Sequence, residues 1–154
     1  MGENCKSEEN LMKGIKLLIL LILVGCADGP KFRREKLTED GAVVYFYRPS
    51  FVGVALPPHE IKEASTNENV ATLLPGGYYP YITKPGAKTF TWYCRDETAK
   101  VSLNIEANQE YFIKSTYDIW TLQFRLLASP ILINVPKEEA LEEIEDKRLN
   151  IVKD

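Results

Sequence analysis

The chain has 154 residues, of which 45% are hydrophobic and 27% charged, and its formal net charge is −3. This length suits one domain with its own core, and the balance of apolar and charged residues excludes the composition of a disordered chain. A negative net charge without an extended basic cluster also argues against a nucleic-acid-binding protein.

The first element in the chain is a short apolar run, Leu17–Val24, which Lys13 and Lys16 precede. A membrane-spanning helix needs about 20 apolar residues, so this run is too short to cross a bilayer comfortably. Positive residues, a short apolar core and then small residues form the layout of a secretory signal peptide. We therefore predict a signal peptide over residues 1–25. A buried core segment and a retained membrane anchor are the alternatives.

The residues directly before Cys26 resemble a bacterial lipobox; they are Leu23, Val24 and Gly25. In lipoproteins with this motif the cysteine thiolate accepts a diacylglyceryl group, a peptidase cleaves before the cysteine, and the new N-terminus is acylated. The resemblance implies a covalent lipid on Cys26, no other cofactor, and attachment to the membrane of a bacterial cell envelope. Because Ala27 follows the cysteine, the sorting rule of enteric bacteria implies the outer membrane, facing the periplasm.

The start of the signal and the segment after it are also predicted from charge. The first eleven residues contain three glutamates, whereas a signal peptide should begin with positive charge. Starting at Met12 removes them and leaves a compact signal, so we predict Met12 as the true start. After the cysteine, residues 26–40 are predicted to be a tether, and its basic part, Lys31–Lys36, is interpreted as solvated.

The three cysteines would have different fates under this interpretation. Cys5 would be lost with the signal and Cys26 would carry lipid, which leaves Cys94 without an intrachain disulfide partner. Alternation along its strand places Cys94 on one face with Phe90 and Trp92. We therefore predict that Cys94 is buried and slow to react; a reactive thiol is the alternative.

Short aromatic and β-branched runs, separated by proline and glycine turns, fill the predicted domain, residues 41–135. Residues 49–58 interrupt them as a long loop. The predicted strands are Ala42–Arg48, Val70–Leu74, Tyr78–Thr83, Lys88–Cys94, Val101–Glu106, Tyr111–Trp120 and Thr121–Leu127. Several short strands at regular spacing predict an all-β fold, an antiparallel β-sandwich of Ig-like or transthyretin-like type.

Residues 136–154 predict a short C-terminal helix and a tail. Pro136 suits a first helical turn, acidic residues follow it, and basic residues stand near Arg148, which matches the helix dipole. The helix is predicted over Pro136–Arg148, with Leu141 and Ile144 facing the sheet.

Three motifs resemble the small bacterial lipoprotein family known as domain of unknown function 2846: Tyr47–Pro49, Leu74–Tyr78 and Pro85–Gly86. The resemblance covers most of residues 41–148. It implies a compact β-domain tethered to the envelope, and it implies no reaction. The chain departs from the family at Thr66–Asn69, where a glycine-containing hairpin turn is more usual, so we expect a longer and looser hairpin there.

Catalytic and metal-binding patterns are weak in this sequence. His59 is the single histidine, which excludes a His-rich metal site and leaves one candidate base for nucleophilic catalysis. It lies between a proline pair and Glu60, and we predict that it is exposed with an ordinary surface role. We therefore predict no catalytic residue and no metal site. The predicted function is a non-enzymatic accessory or protein-interaction module with an envelope protein as a possible partner.

The alternative function is glycan or peptide binding by an aromatic face, because tyrosine and tryptophan combine apolar area with a polar group. The candidate residues of this face are Tyr78, Tyr79, Tyr81, Tyr117 and Trp120. The competing interpretation, which we favour, is that these aromatic side chains fill the core of the sandwich. A hydrolase is the third hypothesis.

Overall fold

The structure is a computed structural model, and it describes residues 29–50, 57–94, 97–118 and 129–149. The predicted signal peptide, Cys26, Trp120 and the predicted strand Thr121–Leu127 lie outside the described residues. The elements in chain order are β1 (Ala42–Tyr47), β2 (His59–Glu63), β3 (Asn69–Leu73), β4 (Gly77–Thr83), β5 (Gly86–Cys94), β6 (Glu97–Ile105), β7 (Glu110–Tyr117), β8 (Pro130–Asn134), α1 (Lys137–Ile144) and β9 (Arg148–Leu149).

The strands form two sheets that pack face to face, which confirms the predicted β-sandwich. One sheet has the order β8-β7-β1-β4-β9 and the other the order β3-β2-β5-β6. Most pairs are antiparallel, but β1 pairs in parallel with β7, and β4 with β9. The prediction of a purely antiparallel sandwich is wrong at these pairs. The other sheet separates β1 from β7 along the chain, and a crossover that long can return a strand in the same direction.

Strand β1 is the central strand of its sheet and is buried on both faces. Val44 and Phe46 point into the sandwich, where the ring of Phe46 lies edge-on to Phe90 at 5.0 Å. Tyr45 and Tyr47 point to the outer face of the same sheet. Because neither face meets water, the strand reads as an unbroken apolar run rather than as an alternation. Strand β6 contrasts with it, since its alternate side chains are exposed, as the sequence predicts.

Helix α1 covers part of that outer face. Ala140 and Ile144 are fully buried there and Leu141 is partly buried, so the predicted contacts of Leu141 and Ile144 hold. The predicted C-terminal boundary is wrong, because α1 ends at Ile144 and has no basic residue in its last turn. Arg148, expected in the helix, instead begins β9 beside β4. An edge of the sheet was available to pair these backbone groups.

The segment predicted as a tether is packed against the outer face from Gly29 onwards. The buried rings of Tyr45 and Tyr78 leave their hydroxyl groups near the surface, where buried tyrosines usually find a hydrogen-bond partner. The backbone N–H of Glu35 donates to the Tyr45 hydroxyl at 2.6 Å. The ring of Phe32 lies edge-on to Tyr45 at 5.3 Å and to Tyr78 at 5.2 Å. This part of the chain is therefore fixed to the sandwich, although its basic side chains are exposed.

The hairpin between β2 and β3 includes a strand that the sequence analysis missed. Residues 64–68 connect the two strands, and Asn67 takes a positive φ of 58°. Asparagine tolerates this left-handed conformation better than other non-glycine residues, so it replaces the usual glycine. The backbone N–H of Asn67 donates to the Glu63 carbonyl at 2.8 Å, which closes the turn.

Candidate functional site

Five residues that meet at one end of the sandwich form what we call the Arg48 cluster: Arg48, His59, Trp92, Ser115 and Tyr117. Arg48 follows the last residue of β1, His59 begins β2, and Tyr117 ends β7. Trp92 and Ser115 point inward near the ends of β5 and β7. We call this end of the sandwich the Arg48 end, and the opposite end the Lys84 end after the residue that follows β4.

The guanidinium of Arg48 is the central polar group of the cluster. Its side chain is fully buried, and its Nη1 donates to the carbonyl oxygens of Pro57 at 2.8 Å and Leu73 at 3.1 Å. Its Nε and Nη2 have no hydrogen-bond partner among the described residues. Burial lowers the pKa of Arg48 to about 10, which still leaves the group charged at neutral pH. A buried charge is strongly destabilising unless it is compensated.

His59 is buried, so the prediction of an exposed surface histidine is wrong. The register of β2, which pairs His59 with Leu73, forms part of the sheet and turns the imidazole into the sandwich. The ring stacks on Trp92 with centroids 3.6 Å apart, and Tyr117 lies edge-on at 5.1 Å. The two prolines before His59 suggested an exposed loop, but they end where the strand begins.

The imidazole of His59 is held by one hydrogen bond and stays neutral. Its Nδ1 is hydrogen-bonded to the hydroxyl of Ser115, and its Nε2 has no partner among the described residues. Burial, with a smaller effect from the Arg48 charge, lowers the pKa of His59 to about 2. A general base should have a pKa near the working pH, so this imidazole is poorly suited to activating the Ser115 hydroxyl. The group offers a hydrogen bond rather than proton transfer.

The predicted aromatic face is not formed by its described members. Tyr78 lies on the outer face of its sheet beneath Phe32, whereas Tyr79 and Tyr81 pack against the core between the sheets. Tyr117 belongs to the Arg48 cluster. Alternation along β4 explains the separation, because successive side chains point to opposite faces. The interpretation as core side chains therefore describes Tyr78, Tyr79 and Tyr81 better.

Cys94 is partly buried and packs against the core between the sheets. Phe90 and Trp92 belong to the same core cluster, so the shared face predicted for the three residues is present. Cys94 pairs with Glu97 across the β5–β6 hairpin, at the end of both strands. That terminal position explains why its burial is incomplete.

The acidic residues with clear partners serve the packing of the fold. Glu143 on α1 accepts hydrogen bonds from Lys114 at 2.6 Å and from the Tyr47 hydroxyl at 2.7 Å. Burial alone would raise the pKa of Glu143, but these two hydrogen bonds hold it below its usual value. Glu143 therefore joins α1 to the outer face of the sheet. Within the described ranges, no group of three or more His, Cys, Asp or Glu side chains is arranged to hold a metal ion.

Sequence reasoning missed Arg48 and Ser115 as members of a site. Arg48 was noticed only as the end of a strand before Pro49. A signal for Ser115 was present, because it takes an inward position on β7 between Ile113 and Tyr117, where an apolar side chain is expected. A polar residue at an inward position of a strand usually has a polar partner, and that partner is His59.

Comparisons of the chain with protein-family models, with curated proteins and with solved structures find no match. In the part of the chain that the structure describes, no helix is both long and apolar enough to cross a bilayer. The functional argument therefore depends on the residues and their geometry.

Proposed function

We propose that this chain is a lipid-anchored protein of the bacterial cell envelope whose β-sandwich is a non-enzymatic accessory or protein-interaction module. The proposed anchor is Cys26, and its support is the lipobox-like sequence that precedes it. The proposed location is the outer membrane, facing the periplasm. The proposed module is the β-sandwich itself.

The observation that carries this proposal is the attachment of the segment after the cysteine to one end of the sandwich. The carbonyl of Gly29 accepts a hydrogen bond from Arg148 at 3.3 Å, and Arg148 pairs with Gly77 at the start of β4. The carbonyl of Gly77 in turn accepts from the backbone N–H of Arg48 at 2.9 Å. Gly29 therefore lies at the Arg48 end.

Simple distances then set the orientation of an anchored molecule. Cys26 precedes Gly29 by three residues, so the two Cα atoms are at most about 11 Å apart. Strand β5 has nine residues and spans roughly 30 Å from end to end. A lipid on Cys26 would hold the Arg48 end at the bilayer surface and direct the Lys84 end away from it, toward partners.

The rival functions have less support. The aromatic-face hypothesis needs Tyr78 and Tyr79 on one surface, and they point to opposite faces of their sheet. The hydrolase hypothesis needs a histidine that accepts a proton, whereas the pKa of His59 is lowered to about 2.

Metabolic labelling with a palmitate analogue tests the anchor. The full chain should incorporate the label, and Cys26→Ser should lose the label and accumulate as an uncleaved precursor. Cys94→Ser is the matched control, and it should be labelled and processed like the parent chain. Continued labelling and cleavage of Cys26→Ser would exclude the proposed anchor.

Photo-crosslinking in living cells tests the interaction module. Ile82, which is 61% exposed near the Lys84 end, is a suitable probe position. A probe there should recover one defined envelope protein. The same probe at Ser102, an exposed site on the outer face of the other sheet, serves as the control. Equal, diffuse crosslinking from both positions would count against a specific partner.

A further inference from the structure

We propose that the Arg48 cluster is a binding site for a ligand carboxylate, which the Nε and Nη2 donors of Arg48 hold together. The proposal does not depend on lipid attachment. It follows from the position of the unpaired donors, from the charge of the described surroundings and from the neighbouring rings.

The two unpaired donors lie on the same edge of the guanidinium. Nη1 is occupied by the carbonyls of Pro57 and Leu73, which fixes the plane of the group. Nε and Nη2 then present two parallel N–H groups, and both lack a partner among the described residues. This arrangement matches the two oxygens of a carboxylate, the pairing for which arginine is best suited.

The charge of the cluster favours a single negative charge. Arg48 is fully buried and positively charged, and His59 beside it is neutral. The ion-paired carboxylates of the described residues are engaged with other cations; they are Glu63, Glu110 and Glu143. A carboxylate monoanion would neutralise Arg48, whereas a phosphate dianion would leave an excess buried charge, which is unfavourable.

The rest of the cluster suits a ligand with a small flat group next to its carboxylate. Ser115 orients the imidazole of His59 through Nδ1, and the Nε2 atom on the other side of the ring is unpaired among the described residues. Trp92 stacks under His59, and Tyr117 stands edge-on to both rings at 5.1 Å. Pro57, whose carbonyl receives Nη1, is exposed, so the guanidinium lies directly beneath a surface residue.

Binding of benzoate to the full chain in a non-ionic detergent tests the proposal, with benzamide as the uncharged isostere. Arginine labelled with ¹⁵N reports on the Nε–H group of Arg48 by nuclear magnetic resonance. Benzoate should shift this signal saturably, and benzamide should not. Arg48→Gln should weaken benzoate binding at least tenfold, whereas Arg33→Gln, a change at an exposed arginine, should leave the affinity unchanged.

Two further measurements keep the test decisive. If Arg48→Gln does not fold, Arg48→Lys retains the charge but removes the paired donors, and it should also weaken benzoate binding at least tenfold. Inorganic phosphate is the second probe, and it should bind more weakly than benzoate. The proposal is overturned if the Arg48 signal ignores benzoate and responds to water exchange only, if benzamide acts equally, or if phosphate binds more tightly.

Discussion

Phe32→Ala tests whether the segment after the cysteine is part of the folded body. Phe32 is partly buried and lies edge-on to both Tyr45 and Tyr78. Removing its ring takes away ~100 Å² of buried apolar surface, which is worth ~2.5 kcal/mol. The two ring contacts add ~0.5 kcal/mol between them at this partly exposed site, so we expect unfolding to become easier by about 3 kcal/mol.

Urea unfolding of the full chain, followed by far-ultraviolet circular dichroism, measures this change. With a slope near 2 kcal/mol per molar urea, the midpoint should fall by ~1.5 M. Arg33→Ala is the matched control, because its exposed side chain should change stability by no more than about 0.5 kcal/mol. If both variants unfold at the wild-type midpoint, residues 29–40 form a free tether and the argument for a fixed orientation fails.

Two predictions concern buried ionisable groups. Because the pKa of His59 is lowered to about 2, its ring signals in nuclear magnetic resonance should not titrate between pH 8 and 4. The unfolded chain takes up a proton near pH 6.5 and the folded chain does not, so His59 should reduce stability as the pH falls below that value; titration of the folded ring near pH 6.5 would refute its burial. The lowered pKa of Glu143 has a related consequence, since the ionised form is favoured in the folded state. Glu143→Gln should destabilise the fold by roughly 1–2 kcal/mol at pH 7, and this difference should shrink as Glu143 becomes protonated in acid; a difference that is constant with pH would exclude the ion pair with Lys114.

The sandwich was predictable because the local signals agree with one another. The run Ala42–Arg48 is rich in strand-forming residues, and a proline stops it one residue later. The turn before β4 was also visible, since Gly76 adopts a φ of 73° that favours glycine. The missed strand β2 alternates polar and apolar residues, but two prolines before it and charged residues within it favoured a loop.

The pairing of the strands and the Arg48 cluster were not predictable in the same way. Parallel pairing of β1 with β7 depends on a long crossover, and no local pattern encodes it. Ser115 and His59 are 56 residues apart in the chain, and only the packing of the two sheets brings them together. Arg48 was placed at the end of a strand by its sequence, but its burial depends on β2 and β3, which supply its contacts with Pro57 and Leu73.

The most direct test of the account measures which end of the anchored protein lies at the bilayer. A fluorescent amino acid would be introduced at Pro58 or at Lys84, exposed positions at the Arg48 end and the Lys84 end, in the full chain reconstituted into vesicles that contain brominated lipids. The bromine atoms should quench the probe at Pro58 strongly and leave the probe at Lys84 unquenched, because roughly 30 Å of strand separates the two ends. Equal quenching at both positions, or stronger quenching at Lys84, would contradict the proposed attachment at the Arg48 end.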